Sequence, residues 1–250
     1  MRTTPEGNGT AGVRSRLVMV IVYAVAMAWV EAAVVLDLRT LIGQYNPALP
    51  ARGEMSRHLL LAECIREAAT LTMLFAVGWL AGRSWRSRLG AGVMAFGLWD
   101  IGYYLFLVPL TGWPTSPADW DILFLLPLPW WGPVWAPASI AVLMILGGGT
   151  VFLCDTPETP CWPRPWAVTA AGVGAGLALL VFMSEALRAL PTDEAPPLGR
   201  MPAEFETLAF LAALSLMAVP VVELALRGRC PHRTPPPSSA RDFLPATDPE

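Results

Sequence analysis

Five ionisable side chains stand inside stretches that are otherwise apolar: Glu31, Glu63, Arg66, Glu67 and Asp100. A charge at bilayer depth costs about 2.5–3.5 kcal/mol even on the lenient insertion scale, so such residues turn inward and take partners. On a helix, Glu63, Arg66, Glu67 and Thr70 fall at i, i+3, i+4 and i+7 and share one face. Phe96, Asp100, Tyr103, Tyr104 and Leu107 obey the same rule on the next segment. Counting about 1.5 Å per residue puts Glu31, Glu67 and Asp100 each about 10–15 Å below the same membrane surface. Tyr103 and Tyr104 add hydrogen-bond donors, and Asp121 and Glu185, nearer that surface, are placed to line an entrance.

The chemistry follows from the balance of charge. Glu31, Glu63, Glu67 and Asp100 face one arginine, Arg66. The excess negative charge must be protonated, solvated in a cavity or paired with a cation. This points to an outward-facing acidic pocket that handles protons or cations. The same residues also satisfy a structural reading, in which Arg66 neutralises one or two carboxylates and holds the helices in register.

Other constellations are weaker. Trp113, Trp120, Trp130, Trp131 and Trp135 crowd one side of the chain. Tryptophan favours the headgroup level, and the alternative, with Trp130 and Trp131 in the pocket, is an aromatic wall for a lipid or quinone-like ligand. Cys154, Cys161, Cys230 and His232 offer four candidate zinc ligands at a spacing that matches no standard pattern, on a side where thiols are expected to stay reduced. Cys64 reads as a thiol packed in the second span. Histidine is restricted to His58 and His232, which excludes bis-histidine haem ligation at mid-depth. There is no Gly-rich phosphate loop, GxSxG elbow or HExxH, so neither catalytic residues nor a cofactor can be named.

The elements that must position these residues are membrane spans. The chain has 250 residues, 54% hydrophobic and 15% charged, and a mean hydropathy of +0.49. A soluble domain carries about 25% charged residues. The spacing predicts an all-α polytopic bundle of six transmembrane helices, at about 17–38, 59–82, 89–110, 122–149, 166–190 and 203–226. The fourth is expected to be broken, because DILFLLPLPWWGPVWAP carries Pro127, Pro129, Pro133 and Pro137; a regular helix is expected from about Ala136. The first reads as an uncleaved signal-anchor.

Three regions result: a cytoplasmic N-terminal segment (1–16), the six-helix domain (17–228) and a proline-rich, disordered cytoplasmic tail (229–250). All 17 basic residues are arginine, and they concentrate in the loops that an N-in, C-in orientation makes cytoplasmic. The external loop 38–59, with Arg39, Arg52 and Arg57, fits least well. The expected location is a plasma membrane, the bacterial inner membrane. The net charge of −3 and the lack of a basic stripe exclude nucleic acid as a partner. Gly172 and Gly176, one turn apart, suit close helix packing, within the chain first and in a homodimer second. Besides proton or cation handling, two function classes stay open. One is a non-catalytic subunit or assembly partner of a larger membrane complex. The other is a membrane-embedded enzyme acting on a lipid or isoprenoid.

Overall fold

The computed structural model describes residues 7–44, 56–156, 159–189 and 204–227. The tail and most of the 38–59 loop lie outside them. Seven helices and one hairpin follow in the order α1 (Gly7–Ile42), α2 (Arg57–Ala81), α3 (Trp85–Thr111), β1 (Trp120–Phe124), β2 (Trp130–Pro133), α4 (Trp135–Cys154), α5 (Pro165–Phe182), α6 (Ser184–Ala189) and α7 (Thr207–Leu226). The helix boundaries are set locally. Ser56 caps α2 by accepting from the Leu59 N–H, and Ser84 forms a reciprocal capping box with Ser87 at the start of α3. Gly112 ends α3 in the left-handed region at φ 72°. Pro165 opens α5, where its missing N–H costs nothing.

Among the described residues, five helices are long and apolar enough to cross a membrane: α1 from Gly12, α3, α4, α5 and α7. The molecule is therefore a multi-pass helical membrane protein in contact with lipid. The 25-residue α2 carries Arg57, Glu63, Arg66 and Glu67 and stands outside that set. The predicted fifth span is shorter than expected: α5 stops at Phe182, and Ser184–Ala189 forms the separate short helix α6.

The proline-rich stretch departs from the expected broken helix. Residues 120–133 make an antiparallel two-stranded hairpin, with Asp121 opposite Gly132, Ile122 opposite Trp131 and a register shift between Ile122 and Phe124. The bundle is thus helical but not wholly so. The positions of the prolines explain the outcome. Pro127 and Pro129 fall in the turn and Pro133 at the end of β2, where no ladder donor is required. Pro137 lies in the first turn of α4, which tolerates it, so the regular helix begins at Trp135, close to the expected start.

Successive long helices alternate in direction. Arg16 at the start of α1 donates to the Ala81 carbonyl at the end of α2, at 2.9 Å. Arg86 at the start of α3 binds Asp155 just past α4, at 2.8 Å. Arg164 before α5 donates its backbone N–H to Glu223 near the end of α7, at 3.0 Å. Close packing holds the helices together: a Cβ on Gly90 would come within 2.7 Å of the Gly148 carbonyl, so α3 and α4 touch through backbone. Among the described residues the core has three clusters: one on α1, α2, α3 and the hairpin with Phe152 of α4, one on α4, α5 and α7, and a smaller one around Ala32, Tyr104, Leu107, Trp113 and Val134. Leu123 and Trp130 of the hairpin pack against the first two.

Candidate functional site

The polar residues within the bundle divide into two networks joined by the hairpin. In the first, α2 presents Glu63, Arg66, Glu67 and Thr70 along one face, as the spacing requires. Arg66 donates from Nε to Glu63 Oε2 at 3.0 Å, and its two terminal nitrogens bind Glu63 Oε1 and Glu31 Oε1 on α1. Thr70 Oγ1 donates to Glu31 Oε2 at 3.5 Å. Arg66 therefore bridges two carboxylates, one on its own helix and one on its neighbour.

Glu67 is directed elsewhere. Both of its carboxylate oxygens accept from the backbone N–H of Leu125, at 3.0 Å each. Leu125 follows β1 directly, so a carboxylate on α2 holds the tip of the hairpin. Phe124 and Leu125 are themselves buried. The space that the sequence reading assigns to an outward-facing pocket is thus partly filled by hairpin residues.

The second network surrounds Asp121 on β1, which is 3% exposed. Arg39 Nη2 donates to Asp121 Oδ1 at 3.2 Å, and Tyr103 Oη donates to Oδ2 at 3.5 Å. The Arg39 guanidinium also lies 4.2 Å from the ring centroid of Trp113, a cation–π geometry. Tyr104 is buried edge-on to Tyr103 and packs towards Trp113. Asp100 sits one turn before the tyrosines, within reach of the charge of Asp121. Its Oδ2 is shielded from solvent and has no hydrogen-bond partner among the described residues.

Sequence reasoning missed Arg39, which it counted as an external-loop residue. The structure keeps α1 helical to Ile42 and buries Arg39 at 5% exposure. The available signal was its position eight residues after Glu31, on the same helical face. The tryptophans also differ from the expected surface anchors. Trp113 and Trp131 are each 2% exposed, and Trp130 stacks on Phe182 of α5, with planes 6° apart. The indole N–H groups of Trp99, Trp113, Trp130 and Trp131 lack an acceptor among the described residues. Glu185 pairs with Arg188 within α6 and does not join the acidic residues.

At the opposite face, Asp155 gathers three loop groups. It accepts from Ser84 Oγ, from Arg86 Nε at 2.8 Å and from the Cys161 N–H at 2.9 Å. Burial pushes its carboxyl upward, but the Ser84 hydroxyl and the Arg86 guanidinium, aided by the Cys161 N–H, outweigh that effect. The net result is a carboxyl below the usual aspartate value. Cys154 is in a disulfide, contrary to the reduced thiols expected there, and so cannot serve as a zinc ligand; Cys161 and Cys64 are free. Cys230 and His232 lie outside the described residues. No cluster of three or more His, Cys, Asp or Glu suited to a metal occurs among the described residues.

No protein-family model matches the sequence, and no characterised protein or solved structure is significantly similar to it.

Proposed function

We propose that the chain is a six-span protein of a plasma membrane, the bacterial inner membrane, with both ends cytoplasmic, and that its acidic residues handle protons. Two observations support α2 as the sixth span. At about 1.5 Å per residue its 25 residues extend about 37 Å, more than the hydrocarbon thickness of about 30 Å. It also runs between its neighbours in the alternating order, with its charges turned onto α1 and the hairpin. The orientation is supported by Arg14, Arg16, Arg83, Arg86, Arg88, Arg164 and Arg227, all near the face where α1 starts and α7 ends.

The observation that carries the proton reading is the shielded, unpartnered Oδ2 of Asp100 within reach of Asp121. Glu31, Glu63, Glu67, Asp100 and Asp121 face two arginines, the buried Arg39 and the part-buried Arg66, so more acidic groups are present than guanidinium groups to balance them. A carboxyl that cannot be paired takes up a proton instead. In sealed proteoliposomes with an internal pH-sensitive dye, an imposed potential should drive proton entry through the wild type. Asp100→Asn and Glu67→Gln should slow it about a hundredfold or more, the scale of a lost proton-transfer group. Equal rates in the wild type, both variants and empty liposomes would end this reading.

A second reading, that of an assembly partner, has its own observation. A Cβ on Gly172 or Gly176 would meet no atom of the described residues within 4 Å, so this small-residue stripe faces away from the described bundle and suits the approach of another helix. Gly174 instead packs against the Ala213 carbonyl of α7, where an added Cβ would fall at 2.6 Å. Gly172→Leu with Gly176→Leu should abolish any cross-linked homodimer. A dimer yield that does not change would remove the stripe from consideration.

A further inference from the structure

A groove of about 500 Å³ runs along α7 beside the start of α5, on the face where α5 begins and α7 ends. Trp166, Val219, Val222 and Leu226 make its apolar walls. Two arginines stand at its rim, and both are held by one carboxylate. Arg164 Nε lies 3.6 Å from Glu223 Oε1, and Arg227 Nη2 donates to the same oxygen. Arg227 also donates to the Trp162 carbonyl at 3.1 Å.

Charge and exposure decide what fits. Two guanidinium groups against one carboxylate leave the rim with a net positive charge. The Arg164 side chain is 66% exposed and that of Arg227 38%, whereas Glu223 is only 10% exposed. The accessible charge at the groove is therefore cationic. Length adds a second constraint. From Leu226 to Ser215 the lining spans 12 residues of α7, about 16 Å along the helix axis. That is about half of a hydrocarbon core of about 30 Å, the depth of one leaflet. A cationic rim above an apolar channel one leaflet deep matches a lipid with an anionic headgroup.

We propose that this groove binds an anionic glycerophospholipid of the surrounding bilayer. Its phosphate lies at Arg164 and Arg227, and one acyl chain runs along Val219 and Val222 towards Ser215. Glu223 holds the two guanidinium groups in place and moderates their charge. This inference does not depend on the acidic residues at the opposite end of the bundle.

The test titrates the purified full-length protein in detergent with phosphatidylglycerol and, separately, phosphatidylcholine, reading bound lipid by native mass spectrometry. The wild type should bind phosphatidylglycerol more tightly. Arg164→Gln and Arg227→Gln should each weaken that binding about fivefold and leave phosphatidylcholine unchanged, the effect of one interfacial arginine. Glu223→Gln should strengthen it, a gain that a misfolded protein would not give. Equal affinity of the wild type for both lipids would overturn the proposal. So would a phosphatidylglycerol preference that persists in the double arginine variant.

Discussion

The carboxylate of Glu67 accepts the Leu125 N–H with both oxygens at 3.0 Å, so a side chain on α2 grips the backbone of a hairpin 58 residues later. A hydrogen bond to a charged acceptor contributes about 1.5–3 kcal/mol. Here it also closes a turn that contains Pro127 and Pro129, neither of which can donate. Glu67→Ala should lower unfolding stability in detergent by about 1.5–3 kcal/mol. It should also raise amide exchange in residues 122–126 before any change appears in α3. Glu67→Gln keeps one acceptor and should lose less.

Arg66 is the shared partner of Glu31 and Glu63. Removing it strands two carboxylates; breaking a fully buried pair from one side costs about 3–5 kcal/mol, which is the upper bound for this part-buried one. Arg66→Met alone should therefore be strongly destabilised. Adding Glu31→Gln and Glu63→Gln to the same chain should recover most of that loss, because the uncompensated charges are gone. Thermal unfolding of the single and triple variants decides the matter. A triple variant no more stable than the single one would show that the network is not a charge-compensated unit.

Glycine substitutions should separate inward from outward positions. A Cβ on Gly148 would fall 2.6 Å from the Gly90 carbonyl, whereas one on Gly172 would meet nothing within 4 Å. Gly148→Ala should destabilise by about 1–3 kcal/mol, the cost of overpacking. Gly172→Ala should be neutral or should stabilise by up to about 1 kcal/mol through helix propensity. Equal melting temperatures for the two variants would contradict the packing of α3 on α4.

Asp155 sets a pH dependence at the loop face. Its carboxyl is lowered in the folded state, so its contribution is fully present above the ordinary aspartate value of about 3.9. The contribution fades as pH falls through the depressed folded value. The stability advantage of the wild type over Asp155→Asn should accordingly be constant between about pH 5 and 8 and shrink below about pH 4. Denaturation midpoints measured across that range test the sign. An advantage that grows on acidification would refute it.

Much of the bundle is legible in the sequence because apolar length is a strong signal. The segments around 89–110 and 203–226 reappear as α3 and α7 with small boundary changes. The shared face of Glu63, Arg66, Glu67 and Thr70 is also legible, since 3.6-residue periodicity dictates it. What that periodicity cannot convey is which neighbour each side chain meets. Glu67 looks equivalent to Glu63 on the helix surface, yet one binds Arg66 and the other a backbone N–H far along the chain. The hairpin is obscured for a different reason. Its strands lack clean alternation, and four prolines in 17 residues read as helix breakers rather than as turn and boundary residues. Arg39 was hidden by its place near a span end, where arginine normally marks the water side.

The hairpin has one more consequence. At its tip, Leu125 is tied to Glu67 of α2; on β2, Trp130 stacks on Phe182, and a Cβ on Gly132 would strike that same ring at 2.9 Å. One short ribbon therefore acts as a crossbar between the two halves of the bundle. Phe124 also packs on Phe96 and Trp99 of α3, and β2 leads almost directly into α4. The carboxylate of Glu67 and the ring of Phe182 therefore sit at opposite ends of one lever braced on α3 and α4.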